Sequence, residues 1–150
     1  MDILYIIKMT VAGTLGTVGF SILFGVKLKF MPFATLGGAI SSLVYVLLDM
    51  VGFGLFLSNF IATLTCVIYA IILSRTLKTP AVTFITTAIV PLVPGGLLFN
   101  TMISFISRDV TVGLRYAKNT LSVVLGIAAG VAIESLLAVI INKLAKKKNK

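Results

Sequence analysis

The chain has 150 residues, of which 59% are apolar and only 11% are charged, and its net charge is +9. Ordinary globular domains carry roughly 25% charged residues, so this composition, with a mean hydropathy of +1.15, excludes a soluble domain and indicates an integral membrane protein. The positive charge does not indicate nucleic-acid binding, because much of it lies in the C-terminal stretch KLAKKKNK without interleaved aromatic residues, as is typical of contact with anionic lipids.

Reactive side chains are scarce. The sequence has no histidine, one cysteine and four acidic residues. A zinc site needs His or Cys clusters at fixed spacing, and a serine nucleophile needs a neighbouring base. We therefore expect no enzyme activity, no metal and no cofactor, and Cys66 alone predicts no disulfide within the chain.

Five segments are long enough to cross a bilayer, which takes about 20 apolar residues in a helix, and Glu134 is the one charged residue inside them. Charged residues separate the predicted spans, which are residues 9–26, 30–48, 53–74, 80–107 and 119–142, followed by a basic tail, 143–150. No polar linker divides them, so the sequence predicts an all-α integral membrane protein with one transmembrane domain, 1–150. The second segment is rich in Gly and Ser, and a four-span arrangement is the alternative.

The distribution of basic residues predicts the orientation, because cytoplasmic flanks carry an excess of Lys and Arg. With five spans, one side receives the tail lysines with Lys27, Lys29, Arg75 and Lys78, and the other side receives Lys8, Arg108, Arg115 and Lys118. We expect a multi-pass protein of the plasma or inner membrane with its C-terminus in the cytoplasm. Five spans then place the N-terminus outside, whereas four spans place both ends inside.

Small residues recur at helical spacing in three of the spans. In lipid, helices associate through small residues that let their backbones approach closely. The sequence therefore predicts helix contacts at Gly13, Gly16, Gly19, Gly38, Gly126 and Gly130.

Glu134 follows Gly126 and Gly130 at four-residue spacing, on the same stripe of the last span. A carboxylate near the middle of a span costs about 2.5 to 3.5 kcal/mol when it faces hydrocarbon. We therefore expect Glu134 to face protein, water or a cation, and coupling to a proton or a substrate is the functional hypothesis for it. The alternative is a solvated side chain near the interface, because Lys143 follows only about 13 Å along the helix.

The fourth span is interrupted near its middle by PLVPGG, residues 91–96. The two prolines cannot donate to the carbonyl groups one turn earlier, and the two glycines tolerate an unwound backbone. Many transporters use such a broken helix to bind a solute, with the N-terminal end of the second half directed at a carboxylate. A proline kink without a ligand is the alternative. The predicted substrate site comprises Thr87, Val90, Pro91, Pro94, Gly95, Gly96, Asn100, Thr101 and Ser104.

Residues 74–102, SRTLKTPAVTFITTAIVPLVPGGLLFNTM, resemble the signature of the threonine/serine exporter family. They are most similar to the short subunit of its split form, in which two membrane chains make one exporter. Arg75, Lys78 and Pro80 match the basic pair and proline before the span, and PLVPGG matches its core. The chain departs from the pattern at Phe99, where a tyrosine is expected.

The resemblance implies proton-driven secondary export of small carboxylate-bearing solutes, either threonine and serine or a dicarboxylate such as succinate. It also implies a larger membrane subunit of the same family as partner, and a second copy of this chain is the alternative. Independently of the resemblance, five helices are too few to surround a transport pathway, which secondary transporters build from two facing repeats. This also predicts a complex. A structural or assembly subunit without a solute site of its own is the competing function.

Overall fold

The computed structural model describes the backbone of residues 3–148 and the side chains of residues 3–133 and 136. Within this range the chain is helical and contains no strand. This confirms the predicted all-α class. The helices are α1 (Ile3–Leu23), α2 (Met31–Val51), α3 (Leu55–Leu77), α4 (Ala81–Ile89), α5 (Gly95–Ile106) and α6 (Val110–Lys148), with 3-10 turns at Leu28–Phe30 before α2 and Val90–Leu92 after α4.

Helices α1, α2, α3 and α6 are each long and apolar enough to cross a membrane, and α4 with α5, bent by 48°, makes a fifth candidate in the described chain. The bent pair connects opposite ends of the bundle. Pro80, just before α4, lines a cavity with Lys27 of the α1–α2 connection, whereas Asn119, in the third turn of α6, lines a cavity with Gly54 of the α2–α3 connection. The pair therefore has the geometry of a broken span rather than of a re-entrant loop.

Two helices begin earlier than the sequence predicts. Lys8 lies inside α1, and α6 starts at Val110, so that Arg115 and Lys118 lie in its first turns rather than in a connection before residue 119. Long basic side chains reach water while the helix continues. With 39 residues, α6 is about 58 Å long at 1.5 Å per residue, about twice the hydrocarbon thickness. It therefore extends beyond the bilayer or tilts within it.

The two halves of the broken span are held differently. α4 packs against α2 and α3, and its Phe84 and Ile85 join Ala34 and Ala70 in a buried cluster. α5 packs mainly against α6, and most of its large apolar side chains are exposed. The first half is therefore fixed inside the bundle, whereas the second half is covered on one side.

Gly126 and Gly130 of α6 lie in a close contact with α3. A methyl group on Gly126 would lie 2.5 Å from the carbonyl oxygen of Phe56, and one on Gly130 would lie 2.7 Å from Cβ of Thr63. The backbones of α3 and α6 therefore approach each other directly, as small residues allow in membranes.

The predicted packing glycines of α1 and α2 divide into two groups. Gly13 faces Ser42, and Gly38 faces Thr17, without room for a methyl group at either position. No atom lies within 4 Å of a methyl group placed on Gly16 or Gly19, so the described chain does not bring these two into a helix contact. Residues three apart are offset by about 60° around a helix axis, which turns Gly19 away from the α2 side that Gly13 faces.

Candidate functional site

The break in the fourth span is a short segment without regular α-helix, residues 90–94, near the middle of the bundle. α4 gives way to the 3-10 turn Val90–Leu92, Val93 is extended with φ −63° and ψ 125°, and α5 starts after Pro94. A methyl group on Gly13 would lie 3.2 Å from Cβ of Pro91, and Gly13 is the central residue of α1. The break therefore lies at about the middle depth of the helices.

Neighbouring groups pair part of the irregular backbone. The Ser41 hydroxyl of α2, which is fully buried, donates to the Ala88 carbonyl at 2.8 Å and also lies 3.0 Å from the Gly38 carbonyl oxygen. The Val93 amide donates to the Val90 carbonyl at 3.1 Å. Non-helical backbone at membrane depth requires such partners within the protein, so α2 stabilises the end of α4.

The first amides of α5 lack such partners. Pro94 provides no side-chain cap, and the amides of Gly96 and Leu97 donate to no backbone carbonyl within the described chain. Unpaired amides and the aligned peptide dipoles give a helix N-terminus about half a positive charge. This end of α5 is therefore suited to an oxyanion.

The unpaired amides border a cavity of about 410 Å³, which we call the break cavity. Four other helices contribute to its lining, through Met9 of α1, Tyr45 of α2, Asn59 of α3 and Val123 of α6. No acidic or basic side chain is among its lining residues in the described part of the chain. The cavity therefore offers dipoles and hydrogen-bonding groups but no full charge.

Gly95 and Gly96 leave space in front of these amides. A methyl group on either glycine would have no atom within 4 Å, and neither residue has a positive φ. The sequence argument expected the glycines to permit an unwound backbone, but both lie in the regular first turn of α5. Because glycine has no side chain, these two residues leave the first amides of α5 uncovered.

Six predicted site residues line a cavity at the break. A second cavity of about 290 Å³ adjoins the first and shares Met9, Tyr45 and Pro91 with it. Predicted residues that line the break cavity are Pro91, Pro94, Gly95, Gly96 and Asn100, and Val90 lines the second cavity.

The structure does not bring the predicted hydroxyl residues Thr87, Thr101 and Ser104 to either cavity. Their hydroxyl groups donate to carbonyl groups of their own helices, as Thr101 does to Leu97 at 2.7 Å. They follow or precede the break closely in sequence, but the helical turn directs them to other faces. Glu134 lies in α6, and its side chain is outside the described side chains, so proton coupling stays a prediction.

Asn59 is the main residue of the cavity that the sequence argument missed. It is 1% exposed, and its Nδ2 donates to the Leu55 carbonyl at 2.7 Å, which leaves Oδ1 as the acceptor available to a ligand. Its signal in the sequence is a polar amide inside a predicted span, because an amide without a hydrogen-bond partner is unfavourable in an apolar environment.

The fold defines a multi-pass membrane protein, and a broken helix with unpaired amides on a cavity is an arrangement found in secondary transporters. Residues 9–137 match the family described as Threonine/Serine exporter, ThrE. This match covers most of the chain, which therefore belongs to the threonine/serine exporter family, a family of transporters rather than enzymes. The resemblance at residues 74–102 is thereby confirmed. Comparisons with curated proteins and with solved structures give no match.

Proposed function

We propose that this chain is the short subunit of a two-chain secondary exporter and that it binds a small carboxylate-bearing solute at the broken fourth span. The observation that carries the proposal is that the unpaired amides of Gly96 and Leu97 open onto the break cavity. Carboxylate oxygens accept hydrogen bonds from such amides without a cationic side chain. The volume of about 410 Å³ lies within the usual range of small-molecule sites.

The lining favours a solute without net charge, namely threonine or serine, over a dicarboxylate such as succinate. An unpaired buried charge costs several kcal/mol, and no charged side chain among the described residues lines the cavity. In threonine the carboxylate pairs with the α5 amides, and the ammonium group donates to Oδ1 of Asn59. A second carboxylate has no comparable partner among the described residues that line the cavity.

A larger membrane subunit of the same family is the partner that we propose, with a second copy of this chain as the alternative. α5 packs against α6 but leaves Phe99, Met102 and Ile106 exposed, and the break cavity lies at the start of α5. A second set of helices placed there would close a pathway that this chain forms only in part. We also propose that the C-terminus is cytoplasmic, from the basic flanks, and that Glu134 carries the coupled proton.

Reconstitution into vesicles, with and without the larger subunit, tests this function. Efflux of labelled threonine, serine and succinate is measured for the natural chain, for Gly96→Leu, and for the matched control Gly19→Leu. A methyl group on Gly19, as on Gly96, would have no atom within 4 Å. We expect Gly96→Leu to lower threonine efflux at least about tenfold, because leucine covers the amides, and Gly19→Leu to leave it unchanged. Vesicles with this chain alone distinguish the larger subunit from a second copy.

Two results would contradict the proposal. Unchanged threonine efflux in Gly96→Leu would indicate a structural or assembly subunit whose companion holds the solute. Efflux of succinate in preference to threonine would contradict the charge argument while leaving the site itself intact.

A further inference from the structure

Another cavity, of about 440 Å³, lies at the other end of α4 from the break, between the α1–α2 and α3–α4 connections. We call it the lysine cavity, because Lys27, Lys29 and Lys78 line it. No acidic residue is among its lining residues in the described part of the chain. Asp49 and Asp109 lie at the opposite end of the bundle, near the end of α2 and before α6. Within the described residues, the lining of the lysine cavity therefore concentrates positive charge and includes no carboxylate.

Hydrogen-bonded turns position these lysines. α1 ends in a turn in which Gly25 has φ +66° and the Val26 amide donates to the Ser21 carbonyl at 2.9 Å, and this turn leads directly to Lys27. α3 ends in a similar turn at Lys78, which has φ +49°. The Nζ atom of Lys29 lies 4.7 Å from the ring centroid of Phe30, a distance at which the ring attracts the ammonium group. The lysines thus lie on ordered connections.

The start of α4 adds further donors to the same cavity. Pro80 precedes the helix and provides no side-chain cap, and the amides of Ala81 and Val82 donate to no backbone carbonyl within the described chain. Pro80 and Thr83 both line the cavity. An oxyanion there would meet ammonium groups and the positive end of a helix dipole together.

Apolar side chains beside the lysine cavity indicate which oxyanion it takes. Leu23, Phe24 and Leu28 are 73%, 52% and 83% exposed, respectively, and Phe24 also lines the cavity. A free phosphate would use only the polar part, whereas a phospholipid also places its acyl chains against these side chains. Basic pockets between helices on the cytoplasmic side bind the headgroups of anionic lipids. We propose that the lysine cavity binds the phosphate headgroup of an anionic phospholipid, with the acyl chains along Leu23, Phe24 and Leu28.

Lipid titration followed by native mass spectrometry tests the proposal on the full chain in detergent. The probes are phosphatidylglycerol and phosphatidylcholine, with soluble glycerol 3-phosphate as a headgroup without acyl chains. The test variant replaces Lys27, Lys29 and Lys78 by Gln, and the matched control replaces Lys8, Arg115 and Lys118 at the opposite end by Gln. Both variants lose three positive charges from +9 and keep the basic tail, so a difference between them reports on the lysine cavity.

We expect the natural chain and the control to retain phosphatidylglycerol in preference to phosphatidylcholine. The test variant should bind phosphatidylglycerol on the order of a hundredfold more weakly, because each lysine near an anionic membrane surface accounts for about a fivefold change. A variant with Arg at the same three positions should retain the lipid, which separates loss of charge from loss of folding.

Three outcomes would overturn the proposal. Equal weakening in both Gln variants would indicate general attraction to a basic protein, and no weakening in either would indicate that the lysines do not bind lipid. Glycerol 3-phosphate binding as tightly as phosphatidylglycerol would indicate a site for a soluble phosphate.

Discussion

Two glycine pairs of this chain have opposite surroundings. Gly126 and Gly130 of α6 lie against α3 so closely that a methyl group on either would approach Phe56 or Thr63 within 3 Å, whereas Gly95 and Gly96 have open space where a methyl group would lie. The first pair permits two helices to touch, and the second pair leaves the start of a helix uncovered. Glycine thus permits close packing of two helices at one place in this membrane protein and leaves a candidate ligand site uncovered at another.

The largest loss of stability is expected for Gly126→Val, at the contact between α3 and α6. The added side chain meets the Phe56 carbonyl oxygen, which is backbone and moves only with α3. Overpacking of this kind costs about 1 to 3 kcal/mol, and we expect the upper end of that range, measured as the loss of free energy of unfolding in detergent. Gly19→Val, with open space around it, is the control. Equal stability of the two variants would show that α3 and α6 do not pack as described.

Ser41→Ala removes the hydrogen bond from α2 that stabilises the end of α4, next to the break. The Ala88 carbonyl loses its hydrogen bond from a fully buried hydroxyl, and an unsatisfied buried acceptor costs about 1 to 3 kcal/mol. We expect a loss of about 2 kcal/mol in the free energy of unfolding. Ser122→Ala, whose exposed hydroxyl bonds only to Lys118 of its own helix, should change it by less than about 0.5 kcal/mol. Similar losses in both variants would contradict the claim that the hydrogen bond from Ser41 to Ala88 stabilises the end of α4.

Asn59→Leu tests whether the Asn59 side chain contacts the solute in the break cavity. Leucine has a similar size but no oxygen for an ammonium group, and a hydrogen bond to a charged group contributes about 1.5 to 3 kcal/mol. We expect threonine efflux to fall about tenfold or more. Asn119→Leu, which lies away from the break cavity, is the control. Normal threonine efflux by Asn59→Leu would exclude Asn59 from the solute contacts.

Gly16→Ala carries the smallest expected effect. No atom lies within 4 Å of the added methyl group, and alanine is favoured over glycine in a helix by up to about 1 kcal/mol. We expect the free energy of unfolding of the isolated chain to stay equal or to rise slightly. A loss of stability in the complex alone would identify Gly16 as a contact with the partner subunit.

The sequence predicted the membrane class and the interruption of the fourth span, because these depend on local composition and on proline chemistry. It did not reveal Asn59 or Tyr45 at the same cavity, since these residues arrive from other helices and only the packing brings them together. It also could not separate Gly13 from Gly16 and Gly19, because the spacing of small residues does not specify which of them faces a neighbour.

Helix ends were predicted less well than helices. Charged residues served as boundaries in the sequence argument, but Lys8, Arg115 and Lys118 lie within helices in the structure. Basic side chains are long enough to reach water from inside a helix, so a charge near the membrane surface does not end one. The predicted substrate site included Thr87, Thr101 and Ser104 because they are close to the break in sequence. The helical turn directs their side chains away from the two cavities at the break.

The most direct measurement of the central claim is the amide chemical shift of the glycines in protein labelled with ¹⁵N-glycine, recorded in the assembled transporter with increasing threonine. If a carboxylate binds the start of α5, the Gly96 amide shifts in a saturable way and exchanges its hydrogen more slowly. Gly126 and Gly130, enclosed between two helices, then stay unchanged as internal references. A transporter that saturates with threonine while the Gly96 amide does not move would contradict the account.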